Sequence, residues 1–276
     1  MKYGLLIIYR PSVPIYLLFV LIAGLIMKSI LITGCSSGFG LETAKYFLER
    51  GWRVIATMRT PDDSVIPPAS NLQVLKLDVT DQDSIAQAIA AADDIDVLVN
   101  NAGIGWLNAL EGTPIDMARR IFETNTFGTM AMIQAVLPQF RARKSGTIIN
   151  VTSTVTLRPL PLLSVYTASK AAVNAFAESF ALELEPFNIK VKLVLPGLAP
   201  ETRFGENARA LTQGALEFPV PYAPLGQAVI ASLMGEHEEF TRPLDVAEAI
   251  WRAATDDNAP TRIPAGADAV TWSKHS

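Results

Sequence analysis

The chain carries a single cysteine, Cys35, among its 276 residues. It cannot close an internal disulfide, and a reducing compartment fits it better than an oxidising one. Its two histidines, His237 and His275, have no partner at ligand spacing, so no metal site is expected. Runs of lysine and arginine are missing too. With a net charge of −4 and a pI near 5.3, no nucleic-acid footprint is expected, and the partner should be a small molecule. There are no internal repeats or low-complexity tracts. What is present is enough apolar sequence, half of all residues, to fill the core of one α/β domain of this length.

Seventeen uncharged residues, Pro11 to Met27, lie between Arg10 and Lys28. As a helix they would span about 26 Å, against a hydrocarbon core of ~30 Å. Pro14 shortens the uninterrupted part to Ile15–Met27, the size of a signal-peptide core, yet no A-x-A-like cleavage site follows. The stretch Met27-Lys28-Ser29-Ile30-Leu31-Ile32-Thr33 reads instead as a natural start, a short charged lead into a buried strand. Residues 1–27 are therefore expected to stand outside the fold, as an extension or misassigned start. A membrane anchor and a signal peptide are the other readings. The domain is expected to occupy residues 28–276 and to be cytoplasmic, with membrane contact only through residues 11–27.

From Lys28 onward, short apolar runs alternate with amphipathic stretches. This predicts an α/β fold, a single doubly wound parallel sheet of the Rossmann type with helices on both faces. Strands are expected at Ser29–Thr33, Arg53–Met58, Leu72–Leu77, Ile95–Val99, Gly146–Val151 and Lys190–Leu195, all continuously apolar as central parallel strands are. Helices are expected at Gly38–Arg50, closed by Gly51, at Asp81–Ala92 capped by Asp81 or Thr80, at Pro114–Arg143, at Ser164–Glu185, and from Pro243. Residues 198–242, with prolines and the aromatics Phe204, Phe218, Tyr222 and Phe240, interrupt this rhythm. So long a connection is expected to be a lid or binding loop.

The chemistry concentrates in the middle of the chain, where Ser153 is followed thirteen residues later by Tyr166 and one helical turn beyond by Lys170. On a helix, i and i+4 share a face, so the ammonium is expected beside the phenol. A tyrosine titrates near ~10, and acid–base work near neutrality needs about 4 kcal/mol of help. One positive charge about 4 Å away at an effective dielectric of ~20 supplies that much. An ordinary surface pair of Tyr and Lys is the competing reading.

The first strand runs into Thr33-Gly34-Cys35-Ser36-Ser37-Gly38-Phe39-Gly40 and then a helix. Glycines at such a turn let the backbone approach a pyrophosphate, and the helix N-terminus offers free N–H groups. The second strand ends in Ala56-Thr57-Met58-Arg59, with no carboxylate to repel a 2′-phosphate and with Arg59 to pair with one. NADP is favoured, and Asp62 and Asp63 leave room for NAD. Asp78-Val79 and Asn100-Asn101-Ala102-Gly103 follow two further strands at the edge where ligands bind in such folds. An Asx turn at Asp78 and a strand-ending turn at the asparagines are the structural alternatives.

Taken together, Thr33–Gly40, Asn100–Gly103, Ser153, Tyr166, Lys170 and Pro196-Gly197 resemble the short-chain dehydrogenase/reductase family, from about Lys28 to the C-terminus. Cys35-Ser36-Ser37-Gly38 with Ala56-Thr57-Met58-Arg59 is similar to NADP-preferring members, among them hydroxysteroid- and retinol-dehydrogenase-like enzymes. The resemblance implies a sheet of about seven strands and a catalytic tetrad whose fourth member is Asn125. It also implies that Lys170 binds the nicotinamide ribose, and that a homodimer or homotetramer forms on the two long helices. After Pro196-Gly197 the family places a threonine four positions beyond the glycine; here Glu201 stands there and Thr202 comes one later.

The activity these residues imply is NADP-dependent interconversion of a carbonyl and an alcohol, with Tyr166 as proton donor or acceptor and Ser153 bonded to the oxygen. Leu157, Leu160, Leu162 and Leu163, with Leu211, Leu216, Phe218 and Tyr222, suggest an apolar rim and a lipophilic substrate; the alternative is that they pack the loops. Two other functions are weighed: a nucleotide-sugar epimerase or dehydratase, disfavoured by the short segment after Pro196, and a non-catalytic NADP-binding protein.

Overall fold

The computed structural model describes residues 27–211, 218–235 and 238–274. The readings of residues 1–26 and the rim residue Leu216 lie outside them. Among the described residues, no helix is long and apolar enough to cross a membrane.

Seven parallel strands form one sheet: β1 (Ser29–Thr33), β2 (Arg53–Met58), β3 (Leu72–Lys76), β4 (Val97–Asn100), β5 (Gly146–Val151), β6 (Ile189–Pro196) and β7 (Arg262–Ala265), in the order β3-β2-β1-β4-β5-β6-β7. The helices are α1 (Gly38–Glu49), α2 (Gln82–Ala92), α3 (Ile115–Phe122), α4 (Gly128–Arg143), α5 (Ser164–Leu184), α6 (Phe204–Ala210), α7 (Ala223–Met234), α8 (Pro243–Thr255) and α9 (Ala267–Ser273). Alternate strand residues face opposite sides, so the two faces receive different side chains. Ile30, Ile32, Val54, Val99, Ile149 and Val194 pack against α1 and α8. Leu31, Ile55, Leu98, Ile148, Leu193 and Leu195 pack against α2, α4 and α5. Because both faces are covered, the strands read as unbroken apolar runs.

The local signals act as chemistry requires. Asp81 caps α2, its Oδ1 accepting from Asp83 N at 2.9 Å and Ser84 N at 3.1 Å. Gly51, at φ +75°, ends the turn after α1 by donating to the Leu48 carbonyl at 3.0 Å.

Two expectations need correction. The strand expected from Ile95 starts at Val97, because Ile95 N donates to the Gln139 side chain and not to a neighbouring strand. The single helix expected over 114–143 is α3, a π segment at Glu123–Phe127 and then α4. Among its described residues the stretch 198–242, expected as a lid or binding loop, contains α6, a 3-10 turn at Val220–Tyr222, and α7. The short edge strand β7, Arg-Ile-Pro-Ala, carries a proline and was not placed from its residues.

β1 is flanked by β2 on one side and β4 on the other. The chain winds outward to β3 and then returns to β4, so the carboxyl ends of β1 and β4 form the switch point where ligands bind in open parallel sheets.

Candidate active site

The glycine turn is built at that switch point by the segment after β4. Thr33 Oγ1 accepts from Asn101 N at 3.0 Å and Ala102 N at 2.9 Å, and Asn101 Nδ2 donates to Thr33 O at 2.9 Å and Gly34 O at 3.2 Å. Gly34 and Gly38 have φ of +76° and +57°. A Cβ on Gly40 would lie 2.6 Å from Asn101 Nδ2, so glycine is required by close approach. Ser37, with extended backbone, opens α1, and its side chain caps no N–H of the helix. The first-turn N–H groups of Gly38, Phe39 and Gly40 therefore face outward beside Ser36 and Ser37, a cradle that fits a pyrophosphate. Cys35 does not take part. It is fully buried, its thiol is pushed up to about 12 by burial, and Sγ donates to Ile32 O.

Arg59 follows β2, exposed, close enough to Asp78 for its charge to act there. Burial alone would raise the Asp78 carboxyl. The Thr80 N–H and hydroxyl, at 3.0 and 2.8 Å, and the charges of Arg59 and Lys76 outweigh it and hold the group low. Asp78 therefore makes the Asx turn that was its structural alternative. Val79 packs against Gly128 at the start of α4.

Asn125, Ser153, Tyr166 and Lys170 come together beside Gly103, all buried. A Cβ on Gly103 would meet Asn125 Oδ1 at 3.2 Å and Lys170 Nζ at 3.3 Å, which places those two polar ends side by side. The π segment has a cause here. Asn125 Oδ1 accepts from Ile104 N at 2.8 Å while its Nδ2 donates to Ile104 O and Ser169 Oγ at 3.0 Å each. One extra residue in the turn aims this amide inward, out of step with the α-helical period. Lys170 Nζ donates to Val151 O at 3.0 Å, and burial lowers its pKa to about 8. The Tyr166 phenol is pushed up to about 12 by burial, partly offset by a hydrogen bond with Ser153. Burial sets the direction of the shift at both groups, and the ammonium bonds a carbonyl, so no acidifying effect of Lys170 stands out against the desolvation of Tyr166.

After β6, Gly197 N donates to Thr241 Oγ1 at 2.8 Å. Leu198 N donates to Asp268 Oδ2 at 2.6 Å, and Thr241 Oγ1 to Asp268 Oδ1 at 2.7 Å. Asp268 is buried on the first turn of α9 and anchors the segment that carries Pro196 and Gly197. Its role had no local signal in the sequence. Thr202 lies over the glycine turn, its Cβ 3.5 Å from the position a Gly38 Cβ would take, while its hydroxyl donates to Ala199 O at 2.9 Å.

The expected rim divides. Leu157 packs against the core on the α2, α4 and α5 face. Leu162 is buried at φ +64°, and its carbonyl accepts from Asn108 N at 2.9 Å. Phe218 covers Gly226, and the Tyr222 hydroxyl donates to the Glu111 carboxylate. Phe204, which the sequence marked only as one aromatic of a long loop, lies against Tyr166, with ring centroids 5.6 Å apart. Among the described residues, no cluster of three or more His, Cys, Asp or Glu is placed to hold a metal ion.

With this geometry in view, the similarities to known proteins can be stated. The model of the short chain dehydrogenase family matches residues 28–211. Retinol dehydrogenase 8 of Homo sapiens is 33% identical over 257 residues, covering 85% of this chain and 80% of its own. A short-chain dehydrogenase structure from Streptomyces avermitilis superposes with a TM-score of 0.77 at 33% identity, covering 91% of this chain and 92% of that one. A Burkholderia cenocepacia short chain dehydrogenase in complex with NADP has a TM-score of 0.72 at 25% identity, covering 90% and 92%.

Proposed function

Because this chain belongs to the short chain dehydrogenase family, we propose that it is an NADP-dependent oxidoreductase that interconverts a lipophilic carbonyl compound and its alcohol. The observation that carries this reading is the meeting of Ser153, Tyr166, Lys170 and Asn125 at the carboxyl edge of β4 and β5, beside the glycine turn. When bound there, a nicotinamide coenzyme exchanges hydride with the reacting carbon. Gly34 to Gly40, with the N-terminus of α1, would hold its pyrophosphate, and Asn101, Ala102, Gly103 and Thr202 would contact it toward the reacting end. Arg59, without a carboxylate at the end of β2, favours the 2′-phosphate form.

The chain's own residues supply the proton and its route. In the reductive direction the Tyr166 hydroxyl gives its proton to the oxygen that becomes the alcohol, while Ser153 hydrogen-bonds that oxygen. A phenol at about 12 is still more acidic than water, near 15.7. It can therefore protonate an alkoxide, and it keeps its proton ready at neutral pH. Lys170, its pKa lowered by burial to about 8, sits beside Asn125 and would return a proton toward Tyr166 and bind ribose hydroxyls. A lipophilic substrate is supported by the Phe204 ring against Tyr166 and by the similarity to retinol dehydrogenase 8.

The test follows NADPH absorbance with a panel of ketones and aldehydes. Turnover on at least one lipophilic carbonyl is expected, with a loss of at least ~100-fold in Tyr166→Phe. Undiminished activity in that variant would remove Tyr166 from the mechanism.

A further inference from the structure

Phe204 opens α6, and Gly105 belongs to the segment after β4. The Phe204 ring spans the gap between them. The centroid lies 5.6 Å from that of Tyr166 at an interplanar angle of 57°. On its other flank it fills the space over Gly105 so closely that a Cβ there would lie 2.6 Å from Phe204 Cε1 and 2.7 Å from Cζ. Yet Phe204 is 40% exposed and joins neither of the two apolar cores. A ring seated between a reactive phenol and a glycine, and still two-fifths exposed, is not there to fill an interior.

Its attachments are equally selective. The backbone is tied locally, Phe204 N donating to Thr202 Oγ1 at 3.4 Å, and the next residue, Gly205, has no atom within 4 Å of where a Cβ would stand. The later part of the same connection is fixed to the opposite rim. Pro219 packs on Gly112, and the Tyr222 hydroxyl bonds Glu111. Phe204 thus meets the site through its ring, on Tyr166 and Gly105, and through its N–H, on Thr202.

We propose that Phe204 is the specificity-determining gate of this site. Its ring covers Tyr166, gives way to the substrate, and then packs against whatever apolar group flanks the carbonyl. Substrates with an extended apolar group beside the carbonyl replace the lost ring contact, whereas small polar carbonyls do not. The inference rests on the reading of Tyr166 as proton donor and adds to it a selection on substrate size and apolarity. It has a second consequence. The ring contributes to the desolvation that holds the Tyr166 phenol up, so its removal should make that hydroxyl more accessible and more readily ionised.

Two measurements test the gate. The first compares kcat/KM for decanal and butanal with NADPH in the wild type, Phe204→Ala and Phe204→Leu. The decanal-to-butanal ratio should fall at least about tenfold in Phe204→Ala, chiefly through KM for decanal, and Phe204→Leu should restore most of it. A ratio within twofold of wild type overturns the proposal. The second needs no turnover and decides the matter if neither aldehyde reacts. Nitration of Tyr166 by tetranitromethane, located by peptide mass spectrometry, should be at least threefold faster in Phe204→Ala, and an unchanged rate overturns the covering role. Tyr166→Phe separates the two layers: if it stays active the proton-donor reading fails, whereas a dead Tyr166→Phe with an unchanged aldehyde ratio in Phe204→Ala refutes the gate alone.

Discussion

Replacing Lys170 by methionine should remove activity and also abolish a rise in stability with pH that the buried lysine gives the fold. Lys170 is only 5% exposed, its Nζ satisfied by Val151 O at 3.0 Å, and among the described residues it has no ion-pair partner. Burial lowers its pKa from 10.5 to about 8. The unfolded chain therefore binds the proton more tightly than the folded one, so folding carries a penalty. That penalty is full below pH 8 and is relieved as pH rises from 8 to 10.5. From these two values it is about 3 kcal/mol at pH 7 and roughly half of that at pH 9.5. Methionine carries no such penalty but leaves Val151 O unpaired, at a cost of about 1–3 kcal/mol that does not depend on pH. The stability of wild type relative to Lys170→Met should thus rise by about 2 kcal/mol between pH 7 and pH 9.5, and this difference is free of the lost hydrogen bond. Urea unfolding of both proteins at both pH values measures it. A difference below about 0.5 kcal/mol, or one of opposite sign, would refute the view of Lys170 as a cation held against its burial.

Two further outcomes follow from the geometry. Arg59→Asp should lower the preference for NADPH over NADH about 100-fold, since a phosphate partner is lost and a like charge gained, with little change in stability; coenzyme-dependent kcat/KM gives the ratio, and an unchanged value removes Arg59 from recognition. Asp268→Ala should destabilise the fold by about 3 kcal/mol, because two short hydrogen bonds to a buried carboxylate disappear from Leu198 N and Thr241 Oγ1. Thermal and urea unfolding would show it, and a loss under 1 kcal/mol would mean that the segment after β6 is anchored elsewhere.

The parts of the molecule that were legible in the chain are those whose cause is local. Ser29–Thr33, Arg53–Met58 and Gly146–Val151 begin and end where their apolar runs do, because strands buried on both faces tolerate little else. Asp81 and Gly51 mark helix ends by their own side chain, or by the lack of one. Glu123–Phe127 hid its π turn because nothing in the polar run Glu-Thr-Asn-Thr states that Asn125 will be drawn to Ile104 and Ser169. The expectation for the Tyr166–Lys170 pair was incomplete for a related reason. Spacing on α5 brings the two near, but the carbonyl of Val151 and the depth of burial determine what the ammonium and the phenol do.

By itself the order of residues determined the doubly wound α/β class, the glycine turn after the first strand, and the identity of the groups able to move a proton. Apolar period, glycine freedom and side-chain chemistry are properties of neighbours along the chain. Only the tertiary structure decided that Thr202 stands over Gly38, that Asp268 holds the segment after β6, and that Phe204 covers Tyr166. Those contacts join residues between 38 and 164 positions apart, and they exist because one twisted sheet brings the ends of its strands to a common edge.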